Sequence, residues 1–249
     1  MHLCESCALR PFGEHHPLMP KESAYVQAME TVIAATAPQM KAHGFRKRRH
    51  TFNRARERGA VAVLNFQMGR SEPPGSYVIP GFRDNLYGQF TVNLGIAFEE
   101  MWTVDLSSAD KSFPPFLNEY DCHLRLRLGT LATAQQDAWW PLEGNVSRTG
   151  REVAALIKRF GLPWLDRFDI RRAVLTAWER HEPISREAQG RLPLVIALLY
   201  QHEGEIEQAR RTFIDYYLAP HNPHHVEWLR GLGPRIGITD LPKRLAEGE

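Results

Sequence analysis

Apolar and polar side chains alternate without interruption over residues 89–98, near the middle of the chain. The apolar positions are Phe90, Val92, Leu94, Ile96 and Phe98, and the positions between them are Thr91, Asn93, Gly95 and Ala97. Successive side chains of a β-strand point to opposite faces of the sheet. The alternation therefore predicts a central strand with one buried face and one face that carries small and polar groups.

Three further segments show the same period of two. Residues 51–56 and 60–68 predict a hairpin that turns at Arg58-Gly59. In residues 122–128, leucines alternate with basic side chains, which predicts another two-faced strand. Residues 135–142, with two adjacent tryptophans, are interpreted as a short strand or turn that packs over the sheet edge.

Helical periodicity precedes and follows these strands. Residues 22–43 have apolar side chains at helical spacing, with Pro38 expected to kink or divide the helix and Gly44 expected to cap it. A capping box at residues 149–152 predicts the start of a second helix, and Gly161 and Pro163 are expected to close it. The remaining predicted helices cover residues 170–180, 194–201, 205–217 and 223–232.

Together these elements predict an α+β fold. It consists of an antiparallel sheet of about four or five strands, packed on an N-terminal helix and followed by an all-α C-terminal region. The expected organisation is a disordered tail over residues 1–20, an α+β sheet domain over residues 21–145 and a helical region over residues 146–249.

The sheet face opposite the core collects an unusual set of side chains. Solvated faces favour lysine and glutamate, whereas this face is rich in amides, threonine and arginine, which form hydrogen bonds or bind anions. The candidate binding residues are Asn65, Gln67, Thr91, Asn93, His123, Arg125 and Arg127, with Thr51 and Asn53 on the same face. The alternative is that the long loops or the C-terminal helices cover this face, so that the amides satisfy buried backbone groups.

The composition limits the classes of partner. The 249 residues carry a net charge of +2, too small for a global field that attracts nucleic acid or an anionic membrane. The chain has neither an apolar run of membrane-spanning length nor the apolar core of a signal peptide. Its three cysteines form an odd set, which argues against a secreted disulfide scaffold. We therefore predict a soluble, cytoplasmic bacterial protein with no membrane partner.

Two clusters contain side chains of the types that bind metal ions, but neither is interpreted as a metal site. Cys4, Cys7 and the pair His15-His16 are zinc-ligand types, but they lack a second well-spaced ligand pair and are interpreted as part of the tail. The histidines of residues 221–225 are interpreted as part of a surface loop. No metal ligand, cofactor or catalytic residue is predicted, since none of the common catalytic motifs occurs in the chain.

A series of short motifs occurs in a characteristic order and spacing. They are HGFRKR at 43–48, TFNR at 51–54, NFQ at 65–67, FTVNLGI at 90–96, RLG at 127–129 and DAWW at 137–140. Over residues 22–165 the chain thereby resembles a bacterial family, the domain of unknown function DUF 4304. This resemblance implies a fold and a cytoplasmic bacterial setting, without a reaction. Residues 194–217 resemble a single tetratricopeptide-like hairpin, which alone cannot form a solenoid.

These observations lead to three functional hypotheses. The leading one is a non-enzymatic binding or interaction module that holds a partner protein or a small anionic ligand on the polar sheet face. The first alternative is a hydrolase or transferase in which His123 is the general base, Asp121 orients it, and Arg125 or Arg127 binds an anionic group. The second is nucleic-acid binding through Arg46 to Arg54, which would depend steeply on salt.

Overall fold

The computed structural model of the protein describes residues 24–69, 86–104, 112–133, 138–185 and 191–243. The strands are β1 (Arg46–Arg48), β2 (Thr51–Ala55), β3 (Ala60–Met68), β4 (Gln89–Phe98), β5 (Leu124–Arg127) and β6 (Trp140–Pro141). The helices are α1 (Ala24–Ala42), α2 (Glu99–Val104), α3 (Leu128–Thr133), α4 (Val146–Leu156), α5 (Leu162–Phe168), α6 (Arg171–Glu179), α7 (Leu192–His202), α8 (Ile206–Leu218) and α9 (Pro223–Arg235). A 3-10 turn covers Glu119–Asp121 and a π-helical turn covers Ile157–Gly161. Within the described residues, no helix is both long enough and apolar enough to cross a bilayer.

The described strands form one six-stranded antiparallel sheet. Its order is β1-β2-β3-β4-β5, and β6 pairs with the start of β4. Strand β4 has the bounds that the alternation of residues 89–98 predicts. The predicted α+β fold is therefore confirmed, and the basic run that follows α1 adds the short edge strand β1.

The apolar side of β4 lies at the centre of the hydrophobic core. All five of its alternating apolar side chains have no exposed surface. Helix α1 contributes Met29, Val32 and Ile33 to the same core and packs against α4. Gly150 of α4 permits this contact, because a β-carbon at that position would lie 3.2 Å from the Cα of Val32. The apolar face of the strand thus becomes the surface on which the helices pack.

Pro38 was expected to kink or divide helix α1, and the helix is continuous through it, so Pro38 does not divide the helix. Packing on the core compensates for the hydrogen bond that Pro38 cannot donate. The helix ends at a glycine cap as predicted. Gly44 has a φ of +81°, and the Phe45 amide donates to the Met40 carbonyl at 3.0 Å.

The start and end of α4 differ from the predicted ones. Asn145 is the N-cap, and its side-chain oxygen accepts a hydrogen bond from the Arg148 amide at 3.0 Å. The predicted capping box at residues 149–152 therefore lies inside the helix. The helical structure does not end at Gly161 but continues through the π-helical turn into α5, whose first turn contains Pro163. Proline is tolerated there because the first amides of a helix have no intrahelical partner.

The C-terminal helices pack on the same hydrophobic core as the sheet. Residues 194–200 of α7 are buried, and α7 contacts α2, α6 and α8. The core cluster extends from Met29 of α1 to Ile238, just beyond α9. The predicted boundary between a sheet domain and a helical region at residue 145 remains a prediction, and the predicted tail lies outside the described residues.

A buried arginine joins β2 to the end of α5. Arg54 donates to Asp166 Oδ1 at 2.7 Å and to Asp169 Oδ2 at 2.6 Å, and its guanidinium carbon lies 4.5 Å from the centre of the Phe45 ring. Asp169 is fully buried, and this burial raises the pKa of its carboxyl although the Arg54 charge opposes the shift. Because a buried charge is costly without its partner, the contact between β2 and α5 depends on these ion pairs.

We expect Asp169→Ala to lower the free energy of unfolding by about 3 kcal/mol, the usual loss when one partner of a buried ion pair is removed. The Arg54 guanidinium would stay buried with one counter-ion fewer. Asp166→Ala is the matched control, because that side chain is 38% exposed. Its loss is expected to cost about 1 kcal/mol. Urea unfolding followed by circular dichroism measures both, and equal losses for the two variants would contradict this assignment.

Candidate functional site

The pairing register arranges the polar side of the sheet in cross-strand rows. One row, called the covered row below, joins Asn53, Val63, Gly95 and Arg125 across β2 to β5. The next row joins Thr51, Asn65, Asn93 and Arg127, and beyond it Gln67 pairs with Thr91. The term amide patch is used for Asn65, Gln67, Thr91, Asn93 and Arg127. Five of the seven sequence-predicted binding residues are therefore neighbours on one part of the face.

Residues 112–123 cross the polar face above the covered row. The side chain of Asn53 fixes this segment, because Nδ2 donates to the Leu117 carbonyl at 3.0 Å and Oδ1 accepts from the Leu117 amide at 2.7 Å. Leu117 and Cys122 are buried against Val61 and other apolar side chains of the sheet. The interpretation that a loop covers this face therefore holds for the covered row.

The covering segment can pack on β4 because Gly95 has no side chain. A β-carbon on Gly95 would lie 2.6 Å from Cys122 Sγ, closer than non-bonded atoms approach. Burial raises the pKa of the Cys122 thiol well above its usual value, so this sulfur is a packed, protonated group. The small residue at Gly95 therefore admits the covering segment.

Arg125 is a sequence-predicted binding residue that lies in the covered row rather than in the amide patch. Its guanidinium forms an ion pair with Glu119 of the 3-10 turn, which anchors the covering segment to β5. Its backbone also bonds Ser185, whose hydroxyl accepts from the Arg125 amide at 3.0 Å and donates to the Arg125 carbonyl at 2.8 Å. The structure thus gives Arg125 a structural role at the edge of the sheet.

His123 also lies away from the amide patch, just before β5. Its Nδ1 accepts a hydrogen bond from the Phe98 amide at 2.9 Å, so this ring nitrogen holds the end of β4. Asp121, the carboxylate expected to orient the ring, accepts from the Asn118 amide at 2.9 Å. A nitrogen that accepts a backbone hydrogen bond is not available to take a proton without losing that bond. These contacts differ from those of an activated general base.

The amides of the patch are held by one another and by β2. Asn65 Nδ2 donates to Thr51 Oγ1 at 2.9 Å, and Asn93 Nδ2 donates to Gln67 Oε1 at 2.7 Å. Asn93 is 3% exposed, Asn65 is half-buried and Gln67 is exposed. In the part of the chain that the structure describes, Asn65 Oδ1 and Gln67 Nε2 have no hydrogen-bond partner. The patch therefore presents one acceptor and one donor whose side chains are already fixed.

The other two members of the patch contact the segment before β6. Thr91 is fully buried, and its hydroxyl donates to the Ala138 carbonyl at 3.1 Å. The guanidinium carbon of Arg127 lies 5.5 Å from the centre of the Trp139 ring, a cation–π arrangement. An aromatic surface and a cation therefore lie beside the amides, a combination that suits a partially apolar ligand.

The basic run behind the nucleic-acid hypothesis does not form one exposed surface. Lys47 and His50 each lie 3.3 Å from a carboxylate oxygen of Glu30 in α1. Arg54, the last member of the run, is buried in the ion pairs with α5. The exposed part is confined to the short edge strand β1 and the turn after it.

The candidate metal ligands do not converge in the described residues. The cysteines and histidines of the N-terminal segment lie outside them. At the start of α9, His221 Nε2 lies 2.7 Å from the Tyr216 carbonyl, and His225 Nε2 lies 3.0 Å from the Tyr216 hydroxyl. Burial lowers the pKa of His225, which favours its neutral form. Among the described residues, no group of three or more histidine, cysteine, aspartate or glutamate side chains is arranged to hold a metal ion.

Comparison with known proteins identifies the family. A family model described as a domain of unknown function (DUF4304) matches residues 36–167, just over half of the chain. The chain belongs to this family. No curated protein matches the chain, and no solved structure does either. The resemblance noted in the motifs is therefore confirmed, and the DUF4304 region contains the whole amide patch.

One cluster of titratable side chains was not predicted as a site. A cavity of about 640 Å³ lies at the end of β4 and is lined by Glu57, Arg58, Glu99, Glu100, Thr103, Arg171, His202 and Glu203. Glu99 and Glu100 begin α2. Arg171, the ion-pair partner of Glu100, lies 71 residues later and beyond the DUF4304 match, so no local pattern could connect them.

Gly95→Ala is expected to lower the free energy of unfolding by about 1–3 kcal/mol, because the added β-carbon must displace Cys122 and the covering segment. Gly231→Ala in α9 is the control. A β-carbon at Gly231 meets nothing within 4 Å, and alanine is the better helix former by about 1 kcal/mol. Calorimetric unfolding compares the two variants. An unchanged stability for Gly95→Ala would show that residues 112–123 do not pack closely on β4.

Proposed function

We propose that this DUF4304 protein is a binding module of the bacterial cytoplasm whose amide patch holds an extended segment of a partner protein. The observation that carries the proposal is the pair of unused groups on β3, Asn65 Oδ1 and Gln67 Nε2. Their side chains are fixed by Thr51 and Asn93, so binding would not have to order them. Preorganised donors and acceptors favour affinity because less conformational entropy is lost on association.

The spacing of these two groups supports an extended partner. Side chains two residues apart on a strand lie on the same face and are separated by about 6.7 Å. An extended chain presents its own backbone N–H and C=O groups on one side with the same repeat. Arg127 and Trp139 lie beside the amides and suit a partner that carries an acidic or aromatic side chain near this segment.

The chemistry of the patch supports binding rather than a reaction. Side-chain amides neither gain nor lose protons near neutral pH, so they do not act as general acids or bases. A small anionic ligand is the alternative occupant of the patch. Such a ligand would depend on Arg127, whereas a peptide backbone would depend on Asn65 and Gln67.

The proposal is tested with the double variant Asn65→Ala/Gln67→Ala. Wild type, this variant and the control Arg46→Ala/Arg48→Ala serve as baits in native lysate, and captured proteins are identified by mass spectrometry. A partner should be retained by wild type and by the control. Its Kd for the double variant should be weaker by about 10- to 100-fold, since each net hydrogen bond contributes about 1 kcal/mol.

Two outcomes would contradict the proposal. Equal capture by the double variant and by wild type would mean that the amides are structural. Binding that is lost with Arg127→Ala but kept with Asn65→Ala/Gln67→Ala would identify an anion site instead of a peptide site. Thermal unfolding of each variant establishes that the loss of a partner does not reflect loss of the fold.

A further inference from the structure

The cavity at the end of β4 is a second concave site, separate from the amide patch. It lies between the turn of the β2–β3 hairpin, the start of α2, the start of α6 and the end of α7, and is called the α2–α7 cleft below. A neighbouring cavity of about 380 Å³ shares Glu100, Thr103 and His202 with it. The two cavities together have the size of a small-molecule site.

A buried arginine fixes Glu100 within this cleft. Arg171 is 3% exposed, and its Nε donates to Glu100 Oε1 at 2.9 Å while its Nη1 donates to Glu57 Oε2 at 3.1 Å. Its guanidinium carbon also lies 5.7 Å from the centre of the Phe98 ring. Glu100 is therefore a carboxyl group held in a defined position, and Arg171 is a positioning residue.

Glu100 in turn positions the imidazole of His202. His202 Nδ1 lies 2.8 Å from Glu100 Oε1. Since a carboxylate only accepts hydrogen bonds, the ring nitrogen at this distance carries a hydrogen, and the neutral ring has its lone pair on Nε2. The His202 side chain is 47% exposed, and no described residue bonds its Nε2. A carboxylate, an oriented imidazole and an open ring nitrogen are the parts of a general-base site.

The charge of the α2–α7 cleft restricts what it would accept. Its lining carboxylates outnumber its guanidinium groups. The carboxylates are Glu57, Glu99, Glu100 and Glu203, and the guanidinium groups are Arg58 and Arg171. The cleft therefore favours neutral or positively charged molecules over anions.

We propose that His202 is the general base of a hydrolytic site that takes a neutral or positively charged ester in the α2–α7 cleft. His202 Nε2 removes a proton from a water molecule while the water oxygen bonds to the carbonyl carbon. The bond from that carbon to the leaving oxygen then breaks, and the imidazolium returns the proton to the leaving alkoxide. The products are a carboxylic acid and an alcohol. This proposal does not rest on the amide patch.

The rate of ester hydrolysis tests the assignment of His202. The full chain is assayed with three 4-nitrophenyl esters that share one leaving group: the glycine ester, the acetate and the hemisuccinate, which carry positive, zero and negative charge. The glycine ester and the acetate should show higher kcat/KM than the hemisuccinate. His202→Gln should lower kcat/KM by about 100-fold, the usual contribution of general-base catalysis. His43→Gln, at an exposed histidine outside the cleft, should leave it unchanged.

The role of Glu100 has its own readouts. The ¹⁵N chemical shifts of the neutral His202 ring should report a hydrogen on Nδ1, a signature that folding alone does not require. Glu100→Gln should lower kcat/KM by about 10-fold or more, because a neutral amide stabilises the imidazolium less and can also present a donor to the ring. Equal rates for wild type and His202→Gln on all three esters, including no hydrolysis by either, would overturn the proposal. A ¹⁵N spectrum that places the hydrogen of the neutral His202 ring on Nε2 would also overturn it. Thermal unfolding checks that each variant is folded.

Discussion

Strand β4 is buried on both faces, and much of the structure follows from that constraint. On one face its large apolar side chains receive α1 and the C-terminal helices. On the other face residues 112–123 lie close enough that Gly95 has no room for a side chain. A chain segment laid over a sheet must have its backbone groups satisfied, and the double hydrogen bond of Asn53 to Leu117 does this. The polar side of the sheet is thus divided into a covered row, whose polar groups hold the cover, and an amide patch beyond it.

The period of the apolar pattern was sufficient to predict strands β2 to β5 and the side that faces the core, because both depend on side-chain direction. It did not predict β1, whose three residues are all basic. The sequence left a covered face and an open face as alternatives, since Asn53 and Leu117 are 64 residues apart and an asparagine on a strand face suits a ligand as well as a loop. The α4 cap shows a similar limit. Both Asn145 and Thr149 satisfy local capping rules, and a start at Asn145 places Gly150 within the helix, where it meets Val32 of α1. Tertiary contact favours one of two locally equivalent signals.

The amide patch and the α2–α7 cleft differ in how their side chains are held in position. The amide patch is built within the sheet from neighbouring strands, so its geometry is set by the register of β2 to β5. The α2–α7 cleft is built from a hairpin turn and the ends of three helices, so its geometry depends on ion pairs centred on Arg171. Positions on regular strands suit a surface that recognises the repeat of an extended chain. Convergent helix ends suit a cavity in which groups from distant parts of the sequence meet.

His123 and His202 differ in the partner of the ring nitrogen Nδ1. An imidazole acts as a base through a lone pair, and its usefulness depends on what the other ring nitrogen does. In His123 the Nδ1 lone pair is used to accept the Phe98 amide, so protonation of that nitrogen would remove a bond that ends β4. In His202 the Nδ1 faces a carboxylate, so protonation of Nε2 would add an attraction to Glu100 rather than remove a bond. His123 lies just before β5 and His202 is the last residue of α7. In each case the partner of Nδ1 is supplied by a remote part of the chain.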